Sequence, residues 1–406
     1  MKLEQLIDGL DIISIQGQLD KNVTSLTSDS RKAGEGAMFV AVRGVTVDGH
    51  SFIPTLADKK PAALVVEEIP ATYPEDATLI VVPNSAIALG ILASNWYGNP
   101  SSKLRLVGVT GTNGKTTTAT LIYEMARLMG HKAGLLSTVV NYVDTEAVHA
   151  SQTTPDPITI NSLLARMVEA GCEYAAMEVS SHAADQHRIA GLTFAGGVFT
   201  NLTRDHLDYH HTMEAYADAK EILFRWPGLG AAVVNAEDPL SARFAATAQA
   251  HGIPVWTTGR EGKGEALRKA VSAAHALDAF DCRSTGRGMA FTLKAEGETR
   301  EVSLPAVGLF NVDNALEVIA AMLALGYPLD DVVRGVATLE PPPGRMQPVY
   351  SEGMPLGVVD FCHTPDALEK ALESLLPGVH ARGGKLWTVF GCGGDRDPGK
   401  RPIMGA

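Results

Sequence analysis

The chain has 406 residues, 45% hydrophobic and 20% charged, and its 46 acids against 34 bases leave a formal net charge of −12. That length exceeds one ordinary core and implies two or three domains, and the acidic balance argues against a nucleic-acid partner, whose phosphates need a basic face. No apolar run approaches the roughly 18–20 residues of a membrane helix, the N-terminal MKLEQLIDGLDIISIQG lacks a signal peptide's apolar block, and the four cysteines form no metal-type pair, so a cytoplasmic protein with reduced thiols and no membrane partner is expected.

Residues 1–98 read as a small α/β domain, with strands at Ala37–Val42, Ala62–Val66 and Thr78–Val82 and a closing helix at Ile87–Tyr97. Within it, Thr27-Ser28-Asp29-Ser30-Arg31 is a hydroxyl-rich turn ending in a cation, which by itself reads as a cap or turn. Tyr97–Ser102 (YGNPSS) has linker chemistry. The stretch Leu104–Thr118, LRLVGVTGTNGKTTT, then sets the character of the chain. An apolar strand runs into a glycine turn, a lysine and threonines, and these open a helix that Gly130 ends. Strand, glycine loop, Lys-Thr and helix is the arrangement that holds nucleotide phosphates on backbone N–H groups and a helix N-terminus. Gly111, Thr112, Asn113, Gly114, Lys115, Thr116 and Thr117 are therefore the candidate nucleotide-binding residues. Lys115 would reach the terminal phosphates, and a threonine hydroxyl would reach Mg²⁺. The usual eight-residue pattern wants glycine where Val109 stands.

From residue 99 to about 340, strands and helices alternate, as in a mostly parallel sheet. Strands are expected at Leu104–Thr110, Ala133–Thr138, Tyr174–Val179, Gly197–Thr200, Ala231–Asn235 and Val255–Thr257, with an antiparallel hairpin of Met289–Lys294 and Thr299–Leu304. Helices are expected at Pro157–Ala170, Met213–Phe224, Pro239–His251 and Val312–Leu325. Pro341-Pro342-Pro343-Gly344-Arg345 is stiff and non-helical and marks a boundary. After it a strand at Leu356–Phe361, a helix at Pro365–Leu376 and a strand at Lys385–Phe390 read as one βαβ unit. One such unit cannot cover its own sheet, so residues 341–406 are expected to be an incomplete domain of a longer protein.

Glu178 ends an apolar strand, where open α/β sheets place their ligands, and a carboxylate beside a phosphate loop suits Mg²⁺. Asn201–His211 (NLTRDHLDYHH) is dense in potential ligands. His206 and His210 have the spacing of zinc hydrolases, but Leu207 occupies the place of the required glutamate, so His206 is read as a further ligand or orienter for Mg²⁺. Lys220, in the helix YADAKEILF, reads as a solvated helix lysine, and it could ligate a metal only after CO₂ converts it to a carbamate. Asp360, His363, Asn311 and Asn314 stand at strand or helix ends and could contact a nucleotide or act as caps.

Together these motifs resemble the Mur ligases, the ATP-dependent amino-acid ligases of peptidoglycan precursor synthesis. TGTNGKTT (Thr110–Thr117), EVSSH (Glu178–His182), NLTRDH (Asn201–His206), Asn311–Asn314, Gly344–Met346 and Asp360–Asp366 match the family pattern over essentially the whole chain. TTPDP (Thr153–Pro157), EVSSHAADQHR (Glu178–Arg188), DHLDYHHTMEAYADAK (Asp205–Lys220) and GCGGDRD (Gly391–Asp397) are similar to the members that add the third stem-peptide residue to UDP-N-acetylmuramoyl-L-alanyl-D-glutamate. The resemblance implies an α/β protein of three domains: a small N-terminal domain for the UDP moiety (1–98), a central P-loop ATPase domain (99–340) and a partial Rossmann-like C-terminal domain (341–406). It implies that Ser28, Ser30, Val45, Thr46 and Val47 serve the uridine and diphosphate, and that Gln152, Thr153, Thr154, Ser180, Gln186 and Arg188 hold the muramoyl-peptide. Lys220 is then a carbamate serving Mg²⁺ with Glu178, Thr116 and His206, and Lys115, Lys220, Glu178 and His206 form the catalytic set. Asn311, Arg345, Asp360 and His363 fall on the ATP side, and Arg396 reads the incoming amino acid, meso-diaminopimelate or L-lysine. The implied reaction is acyl phosphate formation followed by amide formation in a monomer that closes over ATP at a Pro341–Gly344 hinge. Two departures stand out: Phe361-Cys362 replaces the family's usual Tyr-Ala, and the motif that selects the third amino acid would lie beyond Ala406. A phosphate-loop switch or transport ATPase that makes no amide, and folylpolyglutamate synthase, are the rival classes; Gln186-His187-Arg188 and the N-terminal domain argue against the latter.

Overall fold

The computed structural model describes the chain except for residues 46, 286–287, 350, 352, 382 and 392–398. It divides into two compact units that interleave in sequence. One comprises Met1–Leu104, Thr154–Glu173 and His182–Thr193; the other comprises Arg105–Thr153, Tyr174–Ser181 and Phe194–Ala406.

The first unit is built on a five-stranded sheet in the order Ser14–Gln16, Thr78–Val81, Ala63–Val66, Ala37–Val40, Ser25–Thr27. All its pairings are parallel except the one at the Ser14–Gln16 edge. The inner strands read as continuous apolar runs because both faces are covered. Met38, Val40, Val65 and Ile80 pack with Leu89 and Leu92 of the helix Ser85–Trp96, and Phe39, Leu64, Val66 and Leu79 pack with Ile53 and Leu56 of the 3₁₀ segment Gly49–Lys59. Burying alternate residues on opposite faces is the two-residue period of a strand at work.

The second unit holds an eleven-stranded sheet. Its order is Glu298–Leu304, Met289–Ala295, His275–Ser284, Val255–Arg260, Ala232–Asn235, Gly196–Phe199, Arg105–Thr110, Tyr174–Glu178, Ala133–Leu136, Val140–Val143, Glu146–His149. Pairing is parallel from His275–Ser284 through Ala133–Leu136 and antiparallel in the two outer hairpins. Arg105–Thr110 lies between Tyr174–Glu178 and Gly196–Phe199; the chain goes from it to Ala133–Leu136 and Tyr174–Glu178 on one side, then crosses to Gly196–Phe199 on the other, so the winding reverses there. Such a switch point opens a crevice at the carboxyl ends of the strands. The helices Lys115–Leu128 and Leu309–Ala324 share one core with this sheet, through Leu121, Ile122 and Met125 on one and Val312, Leu316, Ile319 and Ala320 on the other.

Two readings of the last segment change. The expected Leu356–Phe361 strand is shorter, Gly357–Val359, and pairs antiparallel with Gln347–Val349 rather than opening a parallel βαβ unit. Lys385–Phe390, patterned as a strand, has no strand pairing among the described residues, and Trp387 and Val389 are exposed. Apolar alternation makes a strand only where a partner backbone completes the ladder. The helix there runs on from Pro365 to Ala381.

Candidate functional site

The glycine loop closes over the carboxyl end of Arg105–Thr110. Gly111 and Gly114 have φ of +153° and +85°, and Gly114 is the N-cap of the helix Lys115–Leu128. Both glycines meet close neighbours. A Cβ on Gly111 would overlap the Thr200 hydroxyl, and one on Gly114 would stand 2.7 Å from Asn314 Oδ1. The adjacent strand end fastens the loop: Asn201 O accepts from Thr112 N at 2.8 Å, Asn201 Oδ1 accepts from Asn113 N at 3.0 Å, and Thr200 Oγ1 donates to Asn113 O at 2.6 Å. Asn113 also reaches Asp366 of the last segment, with Nδ2 3.3 Å from Oδ2.

Around this loop the structure collects charged and hydroxyl groups. Lys115 Nζ donates to Gly111 O at 2.9 Å and Thr112 O at 2.8 Å. Lys220 Nζ donates to the same Gly111 carbonyl at 2.7 Å and lies 4.5 Å from the centre of the Tyr216 ring. Lys220 is 1% exposed, which corrects its reading as a solvated helix lysine. Burial first, and the charge of Lys115 second, hold its ammonium well below the usual lysine range, and burial also lowers Lys115. Two unit charges a few ångströms apart repel by about 4 kcal/mol at the effective dielectric of a protein. A neutral amine at Lys220 relieves that repulsion.

Glu178, 1% exposed, accepts on Oε1 from Thr116 Oγ1 at 3.0 Å. The same oxygen accepts from Thr138 twice, from N at 2.8 Å and from Oγ1 at 3.1 Å. Arg345 NH2 donates to Thr116 Oγ1 at 3.1 Å, and its guanidinium stacks 5.0 Å from the Phe361 ring. His206 has its ring 5.9 Å from that of Tyr216, whose hydroxyl lies 3.1 Å from Thr112 Oγ1, so it joins the loop through an aromatic neighbour.

Other predicted residues join this group only through a neighbour or have their bonds elsewhere. Asp360 accepts from Met346 N at 2.8 Å and Cys362 N at 2.7 Å, and exposed His363 contacts its own strand end through Phe361 O. Asn311 bonds Val307 O and Asn314, and it is Asn314 that packs on the loop. Gln152, Thr153 and Ser180 belong to the second unit, and Thr153 Oγ1 meets Thr138 Oγ1 at 3.1 Å. Thr154, Gln186 and Arg188 belong to the first, where Arg188 donates to Gln186 Oε1 at 3.1 and 2.6 Å and to Thr154 O at 2.9 Å. Ser28 is exposed at the end of Ser25–Thr27, the Ser30 carbonyl accepts from Lys59, and Val45 and Val47 are exposed. Thr46 and Arg396 lie outside the described residues. The sequence reading missed Thr138 and Tyr216. Thr138 follows a strand neighbouring that of Glu178, and that adjacency was its one available signal.

The chain matches the Mur ligase middle domain at residues 109–322, the Mur ligase glutamate ligase domain at 344–406 and the Mur ligase family catalytic domain at 22–97. It is 46% identical over 409 residues to the UDP-N-acetylmuramoyl-L-alanyl-D-glutamate–2,6-diaminopimelate ligase of Parabacteroides distasonis, covering all of this chain and 79% of that protein. The Bacteroides fragilis protein of that name is 42% identical over 412 residues, covering all of this chain and 80% of its own. A solved structure of a ligase with this name superposes with a TM-score of 0.79 at 29% identity, covering all of this chain and 79% of that one.

Proposed function

The chain belongs to the Mur ligase family, and from that premise we propose that it is the ATP-dependent ligase that joins 2,6-diaminopimelate to UDP-N-acetylmuramoyl-L-alanyl-D-glutamate in peptidoglycan synthesis, working as a monomer in the cytoplasm. The observation that carries this reading is the likeness, over all of this chain and about four-fifths of theirs, to relatives named for that reaction. The gathering of Lys115, Thr116, Glu178 and Lys220 at one phosphate-type loop supports it.

In this reading the terminal D-glutamyl carboxylate attacks the γ-phosphorus of ATP, giving an acyl phosphate and ADP. An amine of diaminopimelate then attacks the acyl carbon, the amide forms and phosphate leaves. Little covalent chemistry falls to the protein, so positioning and charge neutralisation carry the catalysis. Asn201 holds the Thr112 and Asn113 N–H groups, and the first turn of the helix, Lys115–Thr117, presents its backbone N–H groups to the phosphates. Lys115 exchanges its two carbonyl partners for phosphate oxygens. Asn311, Arg345, Asp360 and His363 are assigned to ATP, Ser28, Ser30, Val45, Thr46 and Val47 to the UDP moiety, and Gln152, Thr153, Thr154, Ser180, Gln186 and Arg188 to the muramoyl-peptide. Arg396 is assigned to the incoming amino acid. By domain, residues 1–98 take the UDP moiety, 99–340 the ATPase work and 341–406 the closing Rossmann-like part.

The donors Thr116 and Glu178 fit Mg²⁺, which keeps several waters and relies on one or two carboxylates with substrate phosphates. Bound there, Mg²⁺ neutralises charge on the phosphoryl group in transfer. His206 is assigned to the same ion. Lys220, with its depressed ammonium, supplies the neutral amine that adds CO₂: Nζ bonds the carbon, an amine proton leaves, and the resulting anion faces the Lys115 cation.

The test measures phosphate release from ATP, Mg²⁺ and UDP-N-acetylmuramoyl-L-Ala-D-Glu with meso-diaminopimelate, with L-lysine, or with no amino acid. Release that depends on meso-diaminopimelate is expected. Dependence on L-lysine would reassign the third residue, and release indifferent to the UDP substrate would overturn the ligase reading.

A further inference from the structure

A buried carboxyl that the reaction does not use sits one helical turn behind the phosphate loop. Glu317, on Leu309–Ala324, is 1% exposed. Its Oε1 accepts from Asn235 Nδ2 at 3.0 Å, and its Oε2 lies 3.0 Å from Thr118 Oγ1. Thr118 Oγ1 also lies 3.4 Å from Asn314 Oδ1, the atom that packs against Gly114. Asn314 Nδ2 donates onward to Asn311 Oδ1 at 3.1 Å, and Asn311 Nδ2 to Val307 O at 2.8 Å.

Counting protons decides how this chain is wired. Thr118 has one hydroxyl proton and faces two oxygens that can accept it. If Glu317 is ionised, it takes that proton, and Asn314 Oδ1 is left without this donor in a buried place. If Glu317 is protonated, it donates to Thr118, and the Thr118 proton is free for Asn314. Every group then has a partner: Asn235 to Glu317, Glu317 to Thr118, Thr118 to Asn314, Asn314 to Asn311. Because a buried polar group stripped of its partner is costly, the second wiring wins.

We propose that Glu317 is a positioning residue for the phosphate loop: held as a neutral acid, it turns the Thr118 hydroxyl onto Asn314 and so fixes the side chain that props Gly114 and the first turn of Lys115–Leu128. This rests on the ATP-binding reading above. Burial, with Asp313 on the same helix adding to it, pushes the Glu317 carboxyl well above the carboxylate range, in agreement with this wiring. Glu317 reaches the loop through Thr118 and Asn314.

The experiment measures the affinity of the whole protein for MgATP, and separately for UDP-N-acetylmuramoyl-L-Ala-D-Glu, in Glu317→Gln, Glu317→Leu, Thr118→Val and the Glu317→Leu/Thr118→Val pair. Gln donates and accepts as the neutral acid does, so Glu317→Gln should keep MgATP affinity within about twofold. Glu317→Leu and Thr118→Val should each weaken it by about tenfold, and the pair by little more than either alone, because both cut one relay. Affinity for the UDP substrate should not change. Glu317→Gln as damaging as Glu317→Leu would overturn the neutral-acid wiring. Unchanged MgATP affinity in Glu317→Leu, or in Thr118→Val should the first not fold, would overturn the positioning role. Wild-type protein that fails to bind MgATP would instead overturn the ATP reading.

Discussion

Gly111 and Gly130 both carry positive φ, +153° and +87°, yet only Gly111 has a neighbour where a side chain would go. Gly111→Ala must displace Thr200, which fastens the loop to the next strand end, so MgATP affinity should fall by at least about tenfold. Gly130→Ala meets open space and bears only the backbone cost of about 1–2 kcal/mol, so its melting temperature should drop while MgATP affinity holds. Equal affinities in the two variants would remove the special role given to Gly111. Lys220→Met is the companion test: it fills the buried volume without an amine, so turnover should fall about 10–100-fold while MgATP still binds, and the carbamate signal from isotopically labelled bicarbonate should vanish. These residues were unequally legible. The loop motif is contiguous, so Gly111, Lys115 and Thr116 could be read from spacing alone. Lys220 could not, because its burial follows from packing against the loop at Gly111, 109 residues earlier in the chain. Glu317 carried no motif at all.

Among the elements, those set by local pattern came out where their periodicity put them, and those that depend on a partner did not. Arg105–Thr110 and Lys115–Leu128 follow an apolar run and a capped helix start, and the Met289–Ala295 and Glu298–Leu304 hairpin follows its glycine turn. Lys385–Phe390 has equally good alternation and forms no strand, since pairing is a property of two segments. The helix Ser85–Trp96 shows a contact that no period reveals. A Cβ on Gly90 would stand 2.5 Å from the Ala190 carbonyl oxygen, and one on Gly191 would stand 2.8 Å from Gly90 O. Gly90→Ala should therefore push this helix off its neighbour and cost about 1–3 kcal/mol, whereas Ala88→Gly on the same helix costs about 1 kcal/mol from propensity, plus its buried methyl. Chemical denaturation compares the two, and a Gly90→Ala protein as stable as wild type would show that the approach is not tight.

At the scale of the molecule, Tyr97–Ser102 has linker composition yet lies inside the first unit, which runs to Leu104, and nothing local announces that Thr154–Glu173 and His182–Thr193 pack into that unit. Packing of that kind depends on complementary surfaces far apart in the chain. One core of the first unit gathers Met38, Val65 and Ile80, and one of the second surrounds the phosphate-loop helix; regions of a protein open on free-energy scales of their own. A ligand that binds one folded unit stabilises it by about 2.7 kcal/mol at a hundred times its dissociation constant. MgATP, assigned to the loop at Gly111, should therefore slow amide hydrogen exchange most in residues 111–128 and at the strand ends around Glu178 and Thr200. The strands Ala37–Val40, Ala63–Val66 and Thr78–Val81 should change least. A uridine diphosphate ligand should give the reverse pattern, with protection around Ser28, Ser30 and Val45. Protection by MgATP spread evenly over both units would mean that they open together and that the nucleotide's stabilisation is not local to the second. If MgATP protected the first unit's strands alone, the assignment of ATP to the Gly111 loop would fall.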